Sequence, residues 1–143
     1  MQSFRYYQPI ELRYSDIDAQ GHVNNARYIT FTEYARFRYL TEVGLWDGRS
    51  FMDLNLIVAD VHVSYLAPIK LIQHIRVGTC VSRIGNKSIV FESQIEDENN
   101  GQVMATAETV MVCYDYRTES TKQVSDDWRS KISLYEGINF QAG

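Results

Sequence analysis

Hydrophobic and polar residues alternate in five segments of this chain, with the period of two that half-buried β-strands show. The first segment covers residues 4–14, where Pro9 fits only an edge strand or a bulge. The other four follow one another at residues 54–66, 73–84, 87–96 and 102–117. Within residues 54–66 the alternation predicts one shared face for Ile57, Ala59, Val61, Val63 and Tyr65.

Between the first two of these segments the spacing becomes helical. From Asn25 to Val43, apolar and small residues recur every three to four positions, and Gly44 follows as a C-cap. The predicted buried face holds Tyr28, Phe31, Thr32, Ala35 and Tyr39, and it is widened by Ile29, Leu40 and Val43. So wide an apolar surface is typical of a helix that is covered on several sides.

The connections complete the prediction of the fold. Gly85-Asn86 indicates a tight hairpin, and residues 98–101 indicate another. Ser125 is the predicted N-cap of a short last helix that ends near Tyr135. We therefore predict an α+β fold in which one curled antiparallel sheet wraps around one long central helix. Its open sheet edges favour pairing with a second subunit.

Length and charge narrow the class of protein. The 143 residues fit a single domain, predicted over residues 1–143. A net charge of −4 without any basic run disfavours nucleic acid as a partner. No apolar run approaches the roughly 20 residues that span a bilayer, and the N-terminus lacks a signal-peptide pattern. Cys80 and Cys113 lie in apolar segments and are predicted to be small buried residues, so we expect a cytoplasmic protein.

The candidate chemistry is concentrated in residues 14–36, YSDIDAQGHVNNARYITFTEYAR. A carboxylate, an imidazole and the N-terminus of a helix can together attack and polarise a carbonyl group. Asp18 is the main candidate for a nucleophile or general base, although it could instead form a turn by bonding the loop backbone. Asp16 is predicted to hold the loop by hydrogen bonds.

The same residues carry a resemblance to a known family. The pattern Asp16-x-Asp18-x-x-Gly21-His22-Val23-Asn24-Asn25-x-x-Tyr28, followed by Glu33 and Arg36, resembles the hotdog-fold thioesterases of the 4-hydroxybenzoyl-CoA thioesterase family. The segments Tyr65-Leu66-Ala67-Pro68 and 83–88 add to the resemblance, which extends from Leu12 to the final helix. The GHVNN sequence is more similar to the branch that acts on fatty acyl-CoA and acyl-carrier-protein thioesters than to the member that names the family.

This resemblance implies a hotdog fold and the hydrolysis of acyl-CoA thioesters. It implies a homodimer, often paired into a tetramer, with active sites between subunits. It also implies that Asp18 is the catalytic carboxylate and that the backbone N–H near Asn25 is the oxyanion donor. No metal and no tightly bound cofactor are expected.

Other residues have two interpretations each. His22 either orients the thioester, stabilises charge or holds Asp18, or it is a hydrogen-bonded loop histidine. Asn24 either touches substrate or caps the helix, and Tyr28 is a core residue that could also line an acyl site. Positive and polar side chains at the hairpin are candidates for binding CoA phosphates, or are simply solvated: Arg83, Lys87 and Ser88. Glu33 and Arg36 could pair across one helical turn and are interpreted as structural.

Several other chemistries are disfavoured by the sequence. His62 and His74 lack partners at zinc-ligand spacing, and the chain has neither a Gly-rich phosphate loop nor a GxSxG nucleophile motif. We therefore expect an acyl-CoA thioesterase. The alternatives are an acyl-carrier-protein thioesterase and a non-catalytic acyl-CoA-binding module, although a binding module has no need of an attacking carboxylate.

Overall fold

The long helix forms where the helical spacing predicts it. The computed structural model describes residues 4–140, so the two ends of the predicted 1–143 domain lie outside the described residues. Helix α1 covers Asn25–Val43. The side chain of Asn24 caps its N-terminus by accepting a hydrogen bond from the Ala26 N–H, and Gly44 ends it with a φ of 87°. The five residues predicted for its buried face are all buried.

The strands follow the predicted order with small changes in length. Strands β1 to β5 cover Tyr6–Ile10, Leu56–Tyr65, Ile75–Ile84, Ser88–Asp97 and Val103–Asp115. The first strand is shorter than the predicted residues 4–14, and the last of these, Tyr14, begins a 3-10 turn that covers Tyr14–Asp16. A short strand β6, Ser120–Thr121, pairs with the end of β5 and was not predicted. Helix α2 covers Asp126–Glu136, and Ser125 is its N-cap, as predicted.

All strands form one antiparallel sheet in the order β1-β3-β4-β5-β2, with β6 beside β5. Strand β2 pairs with β5 rather than with β3, its neighbour in sequence, and its other edge has no partner strand within residues 4–140. Bulges interrupt the pairing of β2, β3 and β4, and bulges bend strands. The result is the predicted α+β class, a curled antiparallel sheet with two helices.

A bulge in β2 corrects the predicted face of that strand. Ile57 pairs with Val112 of β5, whereas Val61, beyond the bulge, pairs with Thr109. Directly paired residues point to the same face, and residues three apart on a strand point to opposite faces. Ile57 therefore lies on the face opposite to Val61, and the single face predicted for this strand is wrong at Ile57.

Two clusters of buried side chains lie between the helices and the sheet. The cluster at the N-terminal end of α1 contains Val23, Tyr28, Phe31, Ala35, Ile69, Ile75, Val77, Ile95, Met104 and Ala105. The second cluster is built around Tyr39, Trp46 and Ile132 at the other end of the sheet. Cys80 and Cys113 are both buried and form no disulfide, as predicted. Among the described residues, neither helix is long and apolar enough to cross a membrane.

Candidate active site

Asp16 anchors the loop that leads into α1. Its side chain is fully buried and accepts hydrogen bonds from the Arg13 N–H at 2.8 Å and from the Arg13 guanidinium at 3.2 Å. The Nε of Arg27 lies 3.6 Å from the same carboxylate. The backbone carbonyl of Asp16 accepts from the Asn24 N–H at 2.8 Å, which fixes the start of the helix relative to the loop. The structural interpretation of Asp16 agrees with this geometry.

Asp18 lies in a tight turn of the same loop. Its backbone N–H donates to the His22 carbonyl and its carbonyl accepts from the Gly21 N–H, both at 3.0 Å. Gly21 has a φ of 85°, a conformation that favours glycine. Oδ1 of Asp18 accepts a hydrogen bond from the Gln20 N–H at 2.9 Å. This turn contact fixes the half-buried carboxylate, and no described residue hydrogen-bonds its Oδ2.

One cavity of about 370 Å³ brings several predicted residues together. Asp18, His22, Asn25 and Tyr28 line it from the loop and the first turn of α1. Tyr65 and residues 66–68, at the end of β2, form the other wall. The cavity thus places a carboxylate and an imidazole at the N-terminus of a helix of 19 residues.

The cap of α1 leaves one helix donor unused at this cavity. Oδ1 of Asn24 accepts from the Ala26 N–H, and the Asn24 carbonyl accepts from the Arg27 N–H, both at 2.9 Å. No acceptor for the Asn25 N–H occurs within residues 4–140. A free N–H at a helix N-terminus, where the helix dipole is equivalent to roughly half a positive charge, favours a bound anion. Asn24 itself serves as the cap, which was the alternative interpretation of that residue.

Tyr28 and Tyr65 hold the walls of the cavity together. The Tyr28 hydroxyl donates to the Ala67 carbonyl and accepts from the Ile69 N–H, each at 3.2 Å. Burial raises the pKa of Tyr28. The Tyr65 hydroxyl donates to the Asn25 carbonyl at 3.1 Å, and the two rings meet edge to face at 5.0 Å. Tyr28 can therefore offer a substrate its ring but not a free hydroxyl.

The imidazole of His22 is half-buried and has no hydrogen bond to the described residues. The backbone carbonyl of His22, not its side chain, is what bonds to Asp18. The structure therefore does not show His22 holding the Asp18 carboxylate, and its ring is available to a ligand in the cavity.

The hairpin residues lie at the opposite end of the sheet. Strand pairing places Val77 level with Tyr65 at the cavity, and Ile84 is seven residues further along β3. At about 3.3 Å per residue the hairpin is roughly 20 Å away. Arg83 and Lys87 are exposed there, and Lys87 bonds Thr121 at 3.2 Å, while Ser88 is half-buried. One chain does not bring these three residues to its own cavity.

Sequence reasoning missed three contributions to this site. Gln20 bonds the Asp18 carboxylate, Arg27 approaches Asp16, and Tyr65 joins β2 to α1. Tyr65 belongs to the segment Tyr65-Leu66-Ala67-Pro68, which indicated the protein family but did not indicate what Tyr65 does at the site. Glu33 and Arg36 do not form the ion pair that their spacing permits. Residues 4–140 contain no cluster of three or more side chains suited to hold a metal ion.

A carboxylate beside the N-terminus of a long helix, next to a curled antiparallel sheet, is the arrangement expected of a hotdog thioesterase. The chain belongs to the thioesterase-like superfamily, whose sequence profile matches residues 12–132. This confirms the predicted thioesterase family and its hydrolase class.

Among its relatives is the long-chain acyl-CoA thioesterase FadM of Escherichia coli K12, 28% identical over 86% of this chain and 93% of the relative. The acyl-CoA thioester hydrolase YbgC of Escherichia coli O6:H1 is 29% identical over 75% of this chain and 80% of the relative. A thioesterase from Thermus thermophilus, solved with coenzyme A and zinc, superposes with a TM-score of 0.84. It is 28% identical, over 96% of this chain and 98% of that one.

Proposed function

We propose that this protein hydrolyses acyl-CoA thioesters to the free acid and coenzyme A. The observation that carries the proposal is the shared cavity of the Asp18 carboxylate and the start of α1 at Asn25. The names of FadM and YbgC, both acyl-CoA thioester hydrolases, support the substrate class. A cytoplasmic location fits such substrates and the two buried, unbridged cysteines.

In the proposed reaction the thioester carbonyl oxygen accepts a hydrogen bond from the Asn25 N–H. Asp18 either attacks the carbonyl carbon through Oδ2 to give an anhydride, or removes a proton from an attacking water. Negative charge develops on the carbonyl oxygen, where the helix N-terminus stabilises it. On the water route the C–S bond breaks, the proton held by Asp18 passes to the sulfur, and the acid and coenzyme A are released together. On the anhydride route coenzyme A leaves as the thiolate when the C–S bond breaks, and water then hydrolyses the anhydride, which releases the acid and restores Asp18. Loss of one such oxyanion donor typically lowers the rate by about 100-fold to 1000-fold.

The neighbouring residues position the substrate in this proposal. His22, whose imidazole has no hydrogen-bond partner within residues 4–140, contacts the thioester. Asn24 keeps the helix N-terminus in place as its cap. The acyl group lies beside α1, the central helix of the curled sheet, with the rings of Tyr28 and Tyr65 as the entrance wall.

A second copy of the chain completes the site in this proposal. Strand β2 presents ten residues of unpaired edge, and two such edges can pair antiparallel about a two-fold axis. The axis brings the hairpin end of one copy toward the cavity end of the other. Arg83, Lys87 and Ser88 of the second copy then meet the phosphates of coenzyme A, which those of the same chain do not reach. A further pairing of dimers into a tetramer is compatible with this arrangement.

The test measures thiol release from short, long and aromatic acyl-CoA esters by wild type, Asp18→Asn and Asp47→Asn. Asp47 is a matched control because its Oδ1 also accepts from the N–H two residues later, at 2.9 Å, but outside the cavity. We expect Asp18→Asn to lose turnover by about 1000-fold while still binding acyl-CoA, and Asp47→Asn to keep wild-type rates.

Two outcomes would contradict the proposal. Wild type that releases no thiol from any CoA ester, but cleaves acyl-carrier-protein thioesters, is a carrier-protein thioesterase. Binding of acyl-CoA without any turnover, unchanged in Asp18→Asn, identifies a binding module.

A further inference from the structure

Arg36 is a largely buried residue whose guanidinium forms no ion pair within residues 4–140. The residue is 6% exposed, and neither a hydrogen bond nor an ion pair joins its guanidinium to residues 4–140. Burial lowers the pKa of Arg36, and the Coulomb attraction of Glu33, one helical turn away, raises it only in part. The Nε of Arg129 is the only fully buried side-chain nitrogen or oxygen within residues 4–140 that lacks a hydrogen-bond partner, so the Arg36 nitrogens keep contact with solvent. A chain that covers this side of the protein removes that water, and because an unpaired buried charge is costly, the covering chain is expected to bring an acid.

Arg36 lines a groove of about 460 Å³ between α1 and β2. Glu33, Phe37 and Leu40 line the same groove from the helix, and Val58 and Met111 line it from the sheet. Val58 and Val61 of β2 remain 42% and 38% exposed. The surface is thus apolar, carries one acid and one base, and is continuous with the open edge of β2.

The groove is self-complementary under a two-fold axis. Helix α1 runs antiparallel to β2, because Asn25 bonds Tyr65 at one end and Leu40 shares the groove with Val58 at the other. The middle of α1 therefore lies beside the middle of β2. A two-fold axis through the middle of β2 therefore passes close to the helical turn that holds Glu33 and Arg36. In an interface with this symmetry, Arg36 of each copy can meet Glu33 of the other copy. An acyl chain would bring no charge to Arg36.

We propose that Arg36 forms an ion pair with Glu33 of a second copy of this chain, so that two such pairs close the groove between α1 and β2. This inference specifies the assembly that the proposed function requires. Its test reads association rather than hydrolysis, so it stands or fails independently of the enzyme assay.

The experiment compares Glu33→Arg and Arg36→Glu with two matched controls. Glu42→Arg and Arg38→Glu reverse the same charges at exposed positions of α1 that do not line the groove. Sedimentation velocity over a range of concentrations gives the dissociation constant of each dimer, and circular dichroism verifies folding. We expect each groove variant to raise the dissociation constant about 100-fold or more, and each control to leave it unchanged.

Mixing the two groove variants provides the decisive measurement. In a mixed dimer, the two arginines that the Glu33→Arg copy carries in the groove face the two glutamates of the Arg36→Glu copy. A one-to-one mixture is therefore expected to dimerise like wild type. The double variant Glu33→Arg/Arg36→Glu is expected to dimerise with itself for the same reason. A mixture that stays monomeric overturns the pairing.

Two further results would also overturn the inference. One is a wild-type protein that is monomeric at every concentration. The other is a Glu33→Arg variant that dimerises as tightly as Glu42→Arg. Because Glu33 is exposed in the single chain, this second comparison is decisive even if Arg36→Glu does not fold.

Discussion

Replacing each aspartate of the loop by asparagine is expected to have opposite effects: Asp16→Asn lowers stability, whereas Asp18→Asn lowers turnover. Asp16→Asn removes a buried carboxylate that accepts from Arg13 and lies near Arg27. Hydrogen bonds to charged groups contribute about 1.5–3 kcal/mol each. The side chains of Arg13 and Arg27 are 63% and 40% exposed and regain water, which reduces the loss. We expect the free energy of unfolding to fall by about 2 kcal/mol.

Asp18→Asn should leave stability nearly unchanged, because the asparagine Oδ1 can still accept from the Gln20 N–H. Its expected change in unfolding free energy is within about 0.5 kcal/mol, whereas turnover falls by about 1000-fold. For a chain of this size, the loss at Asp16 corresponds to a fall in Tm of roughly 4–8 °C.

Scanning calorimetry and thiol release, measured on both variants, test this division. The reasoning is refuted if Asp16→Asn melts at the wild-type temperature, or if Asp18→Asn melts as early as Asp16→Asn. It is also refuted if Asp16→Asn loses as much turnover as Asp18→Asn at a temperature where both are folded.

Two further predictions concern stability and pH. Tyr39→Phe removes a hydrogen bond from a fully buried hydroxyl to Glu136, and urea unfolding should show a loss of about 1–2 kcal/mol; an unchanged midpoint contradicts it. Hydrogen bonds, first from Gln73 and then from the Asn99 N–H, hold the pKa of Asp97 below its usual value. The charged carboxylate therefore stabilises the fold at any pH above the pKa that Asp97 has in the unfolded chain, and this stabilisation is lost as the pH falls through its pKa in the folded protein. Gln73→Ala should therefore raise the pKa of Asp97 in an NMR titration and move acid unfolding to higher pH; a pKa that stays in place contradicts the assignment.

The sequence predicted what depends on local periodicity and capping. Helix α1 begins at Asn25 and ends at Val43 because the apolar spacing, the Asn24 cap and Gly44 all agree. The pairing of β2 with β5 could not be predicted, since a curled sheet brings together strands that are distant in sequence. The bulge near Ala59 could not be predicted from the sequence either, because one extra residue reverses which face of the strand the following side chains occupy without any change in composition.

In the candidate site, too, the residues close together in sequence could be predicted, whereas those brought in by the fold could not. The loop motif located Asp18, His22 and Asn25, because all three lie within eight residues of the chain. Tyr65 is distant in sequence and reaches the cavity only through the sheet. For Arg36 the spacing suggested a pair with Glu33 on the same helix. Only the three-dimensional structure shows that Arg36 is 6% exposed and forms no ion pair within residues 4–140, because burial depends on the strands beside the helix.

The two tyrosines of the cavity allow a last comparison. Tyr28→Phe leaves the buried Ile69 N–H and the Ala67 carbonyl without their partner, and an unsatisfied buried group costs about 1–3 kcal/mol. Tyr65→Phe removes one exposed hydrogen bond to the Asn25 carbonyl, which costs about 0.5 kcal/mol or less.

Ala67 and Pro68 line the cavity, and the carbonyl of the adjacent Ile69 accepts from the Val23 N–H, so Tyr28→Phe should loosen substrate binding. Neither Asp18 nor the Asn25 N–H loses a bond in this variant, so KM is expected to rise several-fold while kcat changes little. Urea unfolding and steady-state kinetics of both variants check this. Equal stability losses at Tyr28 and Tyr65 would contradict the structural role given to the Tyr28 hydroxyl. A fall in kcat alone in Tyr28→Phe would show that this hydroxyl acts in the reaction.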